Sequence, residues 1–493
     1  MKALWNKIIS KIDTPVWLEW LFGVVFLFRI PSFFEAYSYG DEMIYLVLGN
    51  GIRQGLTLYK DLHDNKPPLL YLTAAIAGNL FWFKVILAFW NLVTIYYFWK
   101  LVRHLFPKNS RLQKISTFFF AALTTLPILE GNIANAELFF IGPIIIGFWL
   151  LLSKTATFKN LFVSGVLFSI AALFKLPAAI DMGVILVYWL LTAELNFQTL
   201  LKIVKKFSIV LLGFSIPILL SFGWYYLRGA LVEYWLAAFM QNIGYLSSFR
   251  PGDIQQPFFI RNLPLIIRGL IVLLGFAILF WKRNKLSKQF IFVTVWLVIS
   301  LFGVTLSERP YPHYLIQALA STCIFIGILV ASKTIEQMYS IIALTLVVLV
   351  PVVYNFYYYS PITQYQRFIK FSTGITNKQQ YFNEFDGNTA RNYKVAEFLV
   401  KSSKPTDKVL VWGDGTPIYA ISKRFPPLKY VAGYHISDFS TPEQVMKSIS
   451  TQPPKFVIFT PETKPFPALT NFVEQYYIPV EQIDNVKIYA LIR

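Results

Sequence analysis

Long apolar runs separated by short polar segments fill the chain up to about residue 357 and then stop. The runs fall near 17–34, 84–101, 115–130, 137–152, 160–176, 179–193, 207–227, 263–281, 289–306, 313–331 and 337–357. Several approach the roughly 20 residues that a helix needs to cross a hydrocarbon core, which predicts about eleven transmembrane helices. PPLLYLTAAIAGNLFWF (67–83) is also apolar but short and opens on two prolines, so it is expected to lie at the membrane interface. Beyond 361 the pattern changes. TARNYKVAEFLVKSS and TPEQVMKSIS read as helices, and KVLVWGD, KFVIFT and VKIYALIR as buried strands, which together predict a small α/β domain. The expected fold class is a polytopic α-helical membrane protein, with residues 1–360 in the membrane domain and 361–493 in a C-terminal extracytoplasmic α/β domain. GDGTP (413–417) lacks the spacing of a phosphate-cradling loop and reads as a turn.

Composition agrees with the pattern. Hydrophobic residues make up 56% of the 493-residue chain and charged residues only 14%, against about a quarter charged in ordinary soluble domains. The net charge of +19 does not point to nucleic acid. Lys and Arg gather in short loops such as WKLVRHLFPKNSRLQK, SKTATFKN and WKRNKLSKQ, which are expected on the cytoplasmic side. That places the N-terminus inside and the loops 35–66, Glu130–Glu137, Lys175–Asp181, 228–262 and Ser307–His313 outside. The basic start MKALWNKIISK leads into the first apolar run without a small-residue cleavage site, so it reads as an anchor in a plasma (inner) membrane. Cys323 is the single cysteine, so no intramolecular disulfide forms.

The strongly polar residues of the outer loops are the candidate chemistry. In GDEMIYLVLGNGIRQG, Asp41 and Glu42 open a segment with the pattern of an amphipathic helix on the outer membrane surface. Asp41 as a helix cap is one reading, but a cap needs only one acid and leaves Glu42 unexplained. Tyr45 falls one helical turn after Asp41 and faces the same side. Lys66, fixed by Pro67 and Pro68, is a snorkelling lysine or a ligand. Glu137, with Glu130 and Asn135 just before it, begins a span where an acid is costly unless it meets water or a cavity. Lys175 ends another span, where it snorkels or binds. Arg309 and His313 in SERPYPHYLIQ, beside Glu308 and Tyr314, suit an anion at headgroup depth. Arg29, inside the first span, either snorkels or joins them.

GDE (40–42) after the first span, KPPLLY (66–71) later in the same loop, and RPYPHYLIQ (309–317) resemble the GT-C glycosyltransferases. The nearest resemblance is to bacterial members related to protein O-mannosyltransferases and to the lipid A aminoarabinose transferase, whose C-terminal α/β domain VLVWGD (409–414) also resembles. The likeness covers the whole chain. It implies an inverting glycosyltransferase that moves a sugar from a polyprenyl-phosphate donor to an acceptor hydroxyl on a glycan, lipid or protein, within the cell envelope. It further implies Asp41 as the catalytic carboxylate with Glu42 as its neighbour, Tyr45 and Lys66 at the donor phosphate, and Glu137 as the second-loop acid. Lys175, Arg309 and His313 are added as donor-phosphate ligands. No cofactor is expected, although one branch of the fold uses a divalent metal. Asp41 is expected to be raised above the ordinary carboxylate range by desolvation or by Glu42, which would make it a better base. A multi-span transporter or flippase of a lipid-linked or anionic substrate is the alternative.

Overall fold

The computed structural model describes residues 14–194, 196–244 and 257–492. The basic start at 1–13 and the middle of the 228–262 loop therefore lie outside the described residues. Helices come in the expected order: α1 (Val16–Phe33), α2 (Gly40–Arg53), α3 (Leu69–Ala77), α4 (Leu80–Leu105), α5 (Ser110–Leu123), α6 (Ala136–Ser153) and α7 (Phe158–Phe174). They continue with α8 (Met182–Thr192), α9 (Phe197–Leu227), α10 (Phe258–Lys282), α11 (Lys288–Val304), α12 (Ile316–Ala331) and α13 (Glu336–Val353). Among the described residues, seven helices are long and apolar enough to cross a membrane. The chain is a multi-pass membrane protein.

The other predicted spans fall on α5, α7, α8 and α11, which are shorter. Two of these end early at one end of the bundle for a visible reason. At Lys175 the backbone becomes extended, and a 3-10 turn containing Pro177 follows (Leu176–Asp181). After α11 the chain leaves helix for the Pro-rich turn at 310–312, and Glu308 takes a positive φ of 52°. Helix-breaking backbone thus gathers where polar side chains are needed.

Two expectations about the first outer loop are corrected. The helix beginning at Gly40 leaves no open polar face: residues Glu42 to Gly51 are all buried within the protein. It lies between α3 and the C-terminal helix Thr416–Ser422. The interfacial segment is also shorter than expected. It is α3 alone, closed by Gly78 in the left-handed conformation at φ +70°, after which Asn79 caps α4 by accepting from the Trp82 amide at 2.9 Å. The span therefore starts at Leu80 rather than near Lys84.

After α13 come helices at Pro361–Ser372, Lys378–Asp386 and Thr389–Ser402, then a four-stranded sheet. Strand β1 (Val409–Trp412) pairs in parallel with β2 (Phe456–Phe459), β2 pairs antiparallel with β4 (Val486–Leu491), and β4 with β3 (Tyr477–Ile483), giving the order β1-β2-β4-β3. Gly413 at φ +123° makes the turn after β1. This unit meets the first outer loop directly, since the His63 amide donates to the Lys429 carbonyl at 2.8 Å.

Helices α7 and α9 pack through glycine. A Cβ at Gly165 would fall on the Val210 carbonyl, and one at Gly213 on that of Phe162, whereas one at Gly183 would meet nothing within 4 Å. Small residues let backbones approach in membrane bundles. Gly165→Leu or Gly213→Leu is expected to cost about 3 kcal/mol through overpacking against backbone, and Gly183→Leu to leave stability near wild type, as read by thermal unfolding in detergent.

Candidate active site

Both Asp41 and Lys66 line a cavity of about 640 Å³ at one end of the bundle. No side chain caps the N-terminus of α2, so Asp41 is not held there by a capping role. One turn on, the Tyr45 hydroxyl donates to Asp41 Oδ2 at 2.9 Å. Lys66 Nζ lies 3.7 Å from the same oxygen and 3.9 Å from Asp64 Oδ2, with its ammonium 5.0 Å from the centre of the Tyr45 ring. The backbone of Lys66 is fixed as well. Its carbonyl accepts from the Tyr59 hydroxyl at 2.8 Å, and its amide donates to the Tyr71 hydroxyl at 3.2 Å.

The other loops bring their groups to this cavity. Glu137, in the first turn of α6, pairs with Lys175 at the end of α7 at 2.5 Å, and the Lys175 ammonium sits 3.8 Å from the centre of the Tyr314 ring. Arg309 and His313 line the same space. His313 is bonded through Nδ1 to the buried Glu130, which also accepts from the hydroxyl of Tyr39 and the amide of Asn135, each at 3.1 Å, and from the hydroxyl of Tyr357 at 3.3 Å. Of the eight residues assigned a site role from the sequence, seven line one cavity: Asp41, Tyr45, Lys66, Glu137, Lys175, Arg309 and His313.

Glu42 is not among them. It points the other way, into a buried cluster where Lys84 Nζ lies 2.7 Å from Glu42 and 2.9 Å from Glu35 and donates to the Asn132 carbonyl at 2.8 Å. The Ala134 amide donates to Glu42 at 2.6 Å. Burial pushes the Glu42 carboxyl up from its ordinary value against the pull of Lys84. Arg29 is also outside the cavity, buried with its guanidinium donating to the Thr124 carbonyl at 2.7 Å. Glu308 faces Arg268 at 2.8 Å.

Electrostatics at Asp41 run opposite to expectation. Burial raises its carboxyl, but Lys66, with His313 and the Tyr45 hydroxyl, outweighs that and the repulsion of Asp64, so it is held below the ordinary carboxylate range. Asp64 is lowered likewise, burial being overcome first by Lys66 and then by His435. Glu42 does not raise Asp41, because it faces away and is neutralised by Lys84.

Several cavity residues escaped the sequence reading. Asp64 stands two residues before Lys66 in HDNKPP, a signal that was available. His435 and Asp438 come from the C-terminal helix Gly433–Phe439, where polar residues are ordinary and gave no signal. His435 Nε2 lies 3.6 Å from Asp64 Oδ1, and burial holds its imidazole below the usual histidine value. Of the C-terminal tyrosines, Tyr419 packs in the core, while Tyr434 lines the cavity and is 53% exposed. Among the described residues, no three His, Cys, Asp or Glu side chains are grouped to hold a metal ion; Asp41 and Glu137 each face a lysine instead.

Bundled helices joined by short helices, charged loops closing on one cavity, and an α/β unit packed against them make up a GT-C fold. No protein-family model matches the sequence, and no curated protein matches it. Among solved structures, ArnT from Cupriavidus metallidurans bound to undecaprenyl phosphate is similar with a TM-score of 0.56 at 13% identity, covering 96% of this chain and 98% of that one. Its apo state gives 0.56 at 12% identity, covering 96% and 97%. A weaker likeness, 0.42 at 14% identity, is to the Archaeoglobus fulgidus oligosaccharyltransferase in the apo form, covering 90% of this chain and 69% of that one. The ArnT-like architecture extends through the C-terminal unit.

Two outcomes follow from these pairings. Lys84→Met leaves Glu35 and Glu42 buried without their cation and is expected to cost about 3–5 kcal/mol of stability by thermal unfolding. For Lys66 the sign is fixed by the lowered acids. Their pairing contributes stability above the unfolded carboxylate value and loses it as pH falls through the lowered folded value. The melting-temperature gap between wild type and Lys66→Met is therefore expected to be widest near neutral pH and to close toward about pH 3, below the ordinary Asp value.

Proposed function

We propose that this chain is an integral-membrane inverting glycosyltransferase that moves a sugar from a polyprenyl-phosphate donor to an acceptor hydroxyl. The observation that carries the reading is a carboxylate, Asp41, set beside Lys66 in a cavity that also holds Lys175 and Arg309. The likeness of the whole fold to ArnT, solved with undecaprenyl phosphate bound, supports the choice of donor.

In this reading the acceptor hydroxyl attacks the anomeric carbon from the face opposite the phosphate while Asp41 takes its proton. The new carbon–oxygen bond forms as the bond to the phosphate oxygen breaks, and the lipid phosphate leaves with the electron pair. Lys66, Lys175 and Arg309 balance the charge that grows on it. Tyr45 orients Asp41, Glu137 holds Lys175, and Glu130 holds His313. A carboxylate held below its ordinary value is a weak base but stays ionised, so its contribution comes with placement against the reacting hydroxyl rather than with basicity alone. Glu42 has a structural role through Lys84. No step in this scheme uses a metal.

The cavity groups come from Asp41 and Lys66 in the first loop, the start of α6, the end of α7, the end of α11 and the turn before α12. In an alternating bundle these are one end, opposite the basic loops after α4, α6 and α10. We therefore assign the cavity to the extracytoplasmic face of the plasma membrane, where no nucleotide sugar is available and a lipid-borne donor is. A transporter would place its binding groups midway along broken helices, and these lie at helix ends.

The test is transfer by purified protein from labelled polyprenyl-phosphate hexoses and pentoses to envelope glycan, lipid or protein acceptors. Wild type is expected to transfer from one of them, and Asp41→Asn to bind undecaprenyl phosphate normally but transfer about 100-fold more slowly or worse. A folded Asp41→Asn protein with wild-type turnover removes Asp41 as the base, and a wild type inactive with every donor removes the function.

A further inference from the structure

A second groove, of about 570 Å³, opens on the outside of the bundle away from the residues described above. Its floor is apolar and uncovered: Ile76 on α3 is 78% exposed and Trp82 on α4 is 53% exposed, with Ile86 one turn further along α4. Apolar side chains this open on a multi-pass protein face lipid tails, and a tryptophan among them marks the headgroup level.

Two cations overhang that floor. Arg53 ends α2, and Lys423 comes from the turn after Thr416–Ser422 in the C-terminal unit, where its φ is +55°. Both are exposed. The Arg53 Nη1 donates to the Ala75 carbonyl at 3.2 Å, and its guanidinium lies over Gly78, whose missing Cβ leaves room for it. A guanidinium carries five N–H donors, so one bond to a carbonyl leaves a fork for an anion. Lys423 faces the same groove from an element some 370 positions away in sequence (53 against 423).

From this juxtaposition we infer that the groove is a binding site for an anionic phospholipid of the surrounding bilayer, with the headgroup phosphate between Arg53 and Lys423 and an acyl chain along Ile76, Trp82 and Ile86. The lipid bridges the membrane body and the C-terminal unit, since each contributes one cation. A free phosphate lacks the apolar part that the floor would cover, and a zwitterionic lipid lacks the net charge that two cations select. The inference is independent of the proposed chemistry, because none of its residues lines the catalytic cavity.

Native mass spectrometry of the full-length protein, released from detergent with added phosphatidylglycerol or phosphatidylcholine, tests it. Wild type is expected to retain phosphatidylglycerol in preference to phosphatidylcholine. Arg53→Gln with Lys423→Gln is expected to lose that preference, with retention falling about thirtyfold as two cations are removed, while undecaprenyl phosphate binding in the catalytic cavity is unchanged. Lys423→Gln alone, an exposed change that leaves α2 intact, is expected to give part of the loss and keeps the test informative should the double variant fold poorly. Equal retention of the two lipids by wild type, or undiminished phosphatidylglycerol on a folded variant, overturns the site.

Discussion

Everything at this end of the molecule depends on neutralising charge where water is scarce. A carboxylate or ammonium at the edge of an apolar bundle is tolerated only when an opposite charge and hydrogen bonds compensate it. Much of the compensation comes from another part of the chain: Lys84 pairs with Glu35 and Glu42, Lys175 with Glu137, and His313 is hydrogen-bonded to Glu130. These pairings tie separate loops and helix ends to one another, so the requirement that hides charge also assembles the cavity.

Two layers result. The inner one, around Lys84 and Glu130, is buried and bonded to several partners, and it holds the loop before α6 against α2 through the Asn132 carbonyl and the Ala134 amide. The outer one, Asp41 with Lys66 and Glu137 with Lys175, borders open space. Lys66 stands between Asp41 and Asp64, and Asp64 in turn meets His435, so the C-terminal unit joins the site's charge network through His435. That unit forms part of the cavity wall.

The apolar runs made the membrane fold legible, and alternating short helices and strands did the same for β1, β2 and β4. Tyr45 was readable because four residues make one helical turn. The Asp-Glu pair misled for the same geometric reason. Adjacent helix residues point about 100° apart, so one of two neighbouring acids on α2 turns to the cavity while the other, Glu42, meets Lys84. The burial of α2 was hidden because its polar face meets other protein rather than water, a distinction periodicity does not carry. β3, with most of its residues exposed, lacked the buried-strand pattern. His435 was illegible because only the tertiary meeting of Gly433–Phe439 with the first loop gives it a role.

The central claim is that separate outer loops build one pocket for a lipid phosphate. A structure of the protein with undecaprenyl phosphate bound tests it most directly. The account predicts phosphate density within contact of Lys66 and of Lys175 or Arg309, with Asp41 facing the oxygen that would carry the sugar. Phosphate bound elsewhere, or an Asp41 turned away from it, contradicts the account.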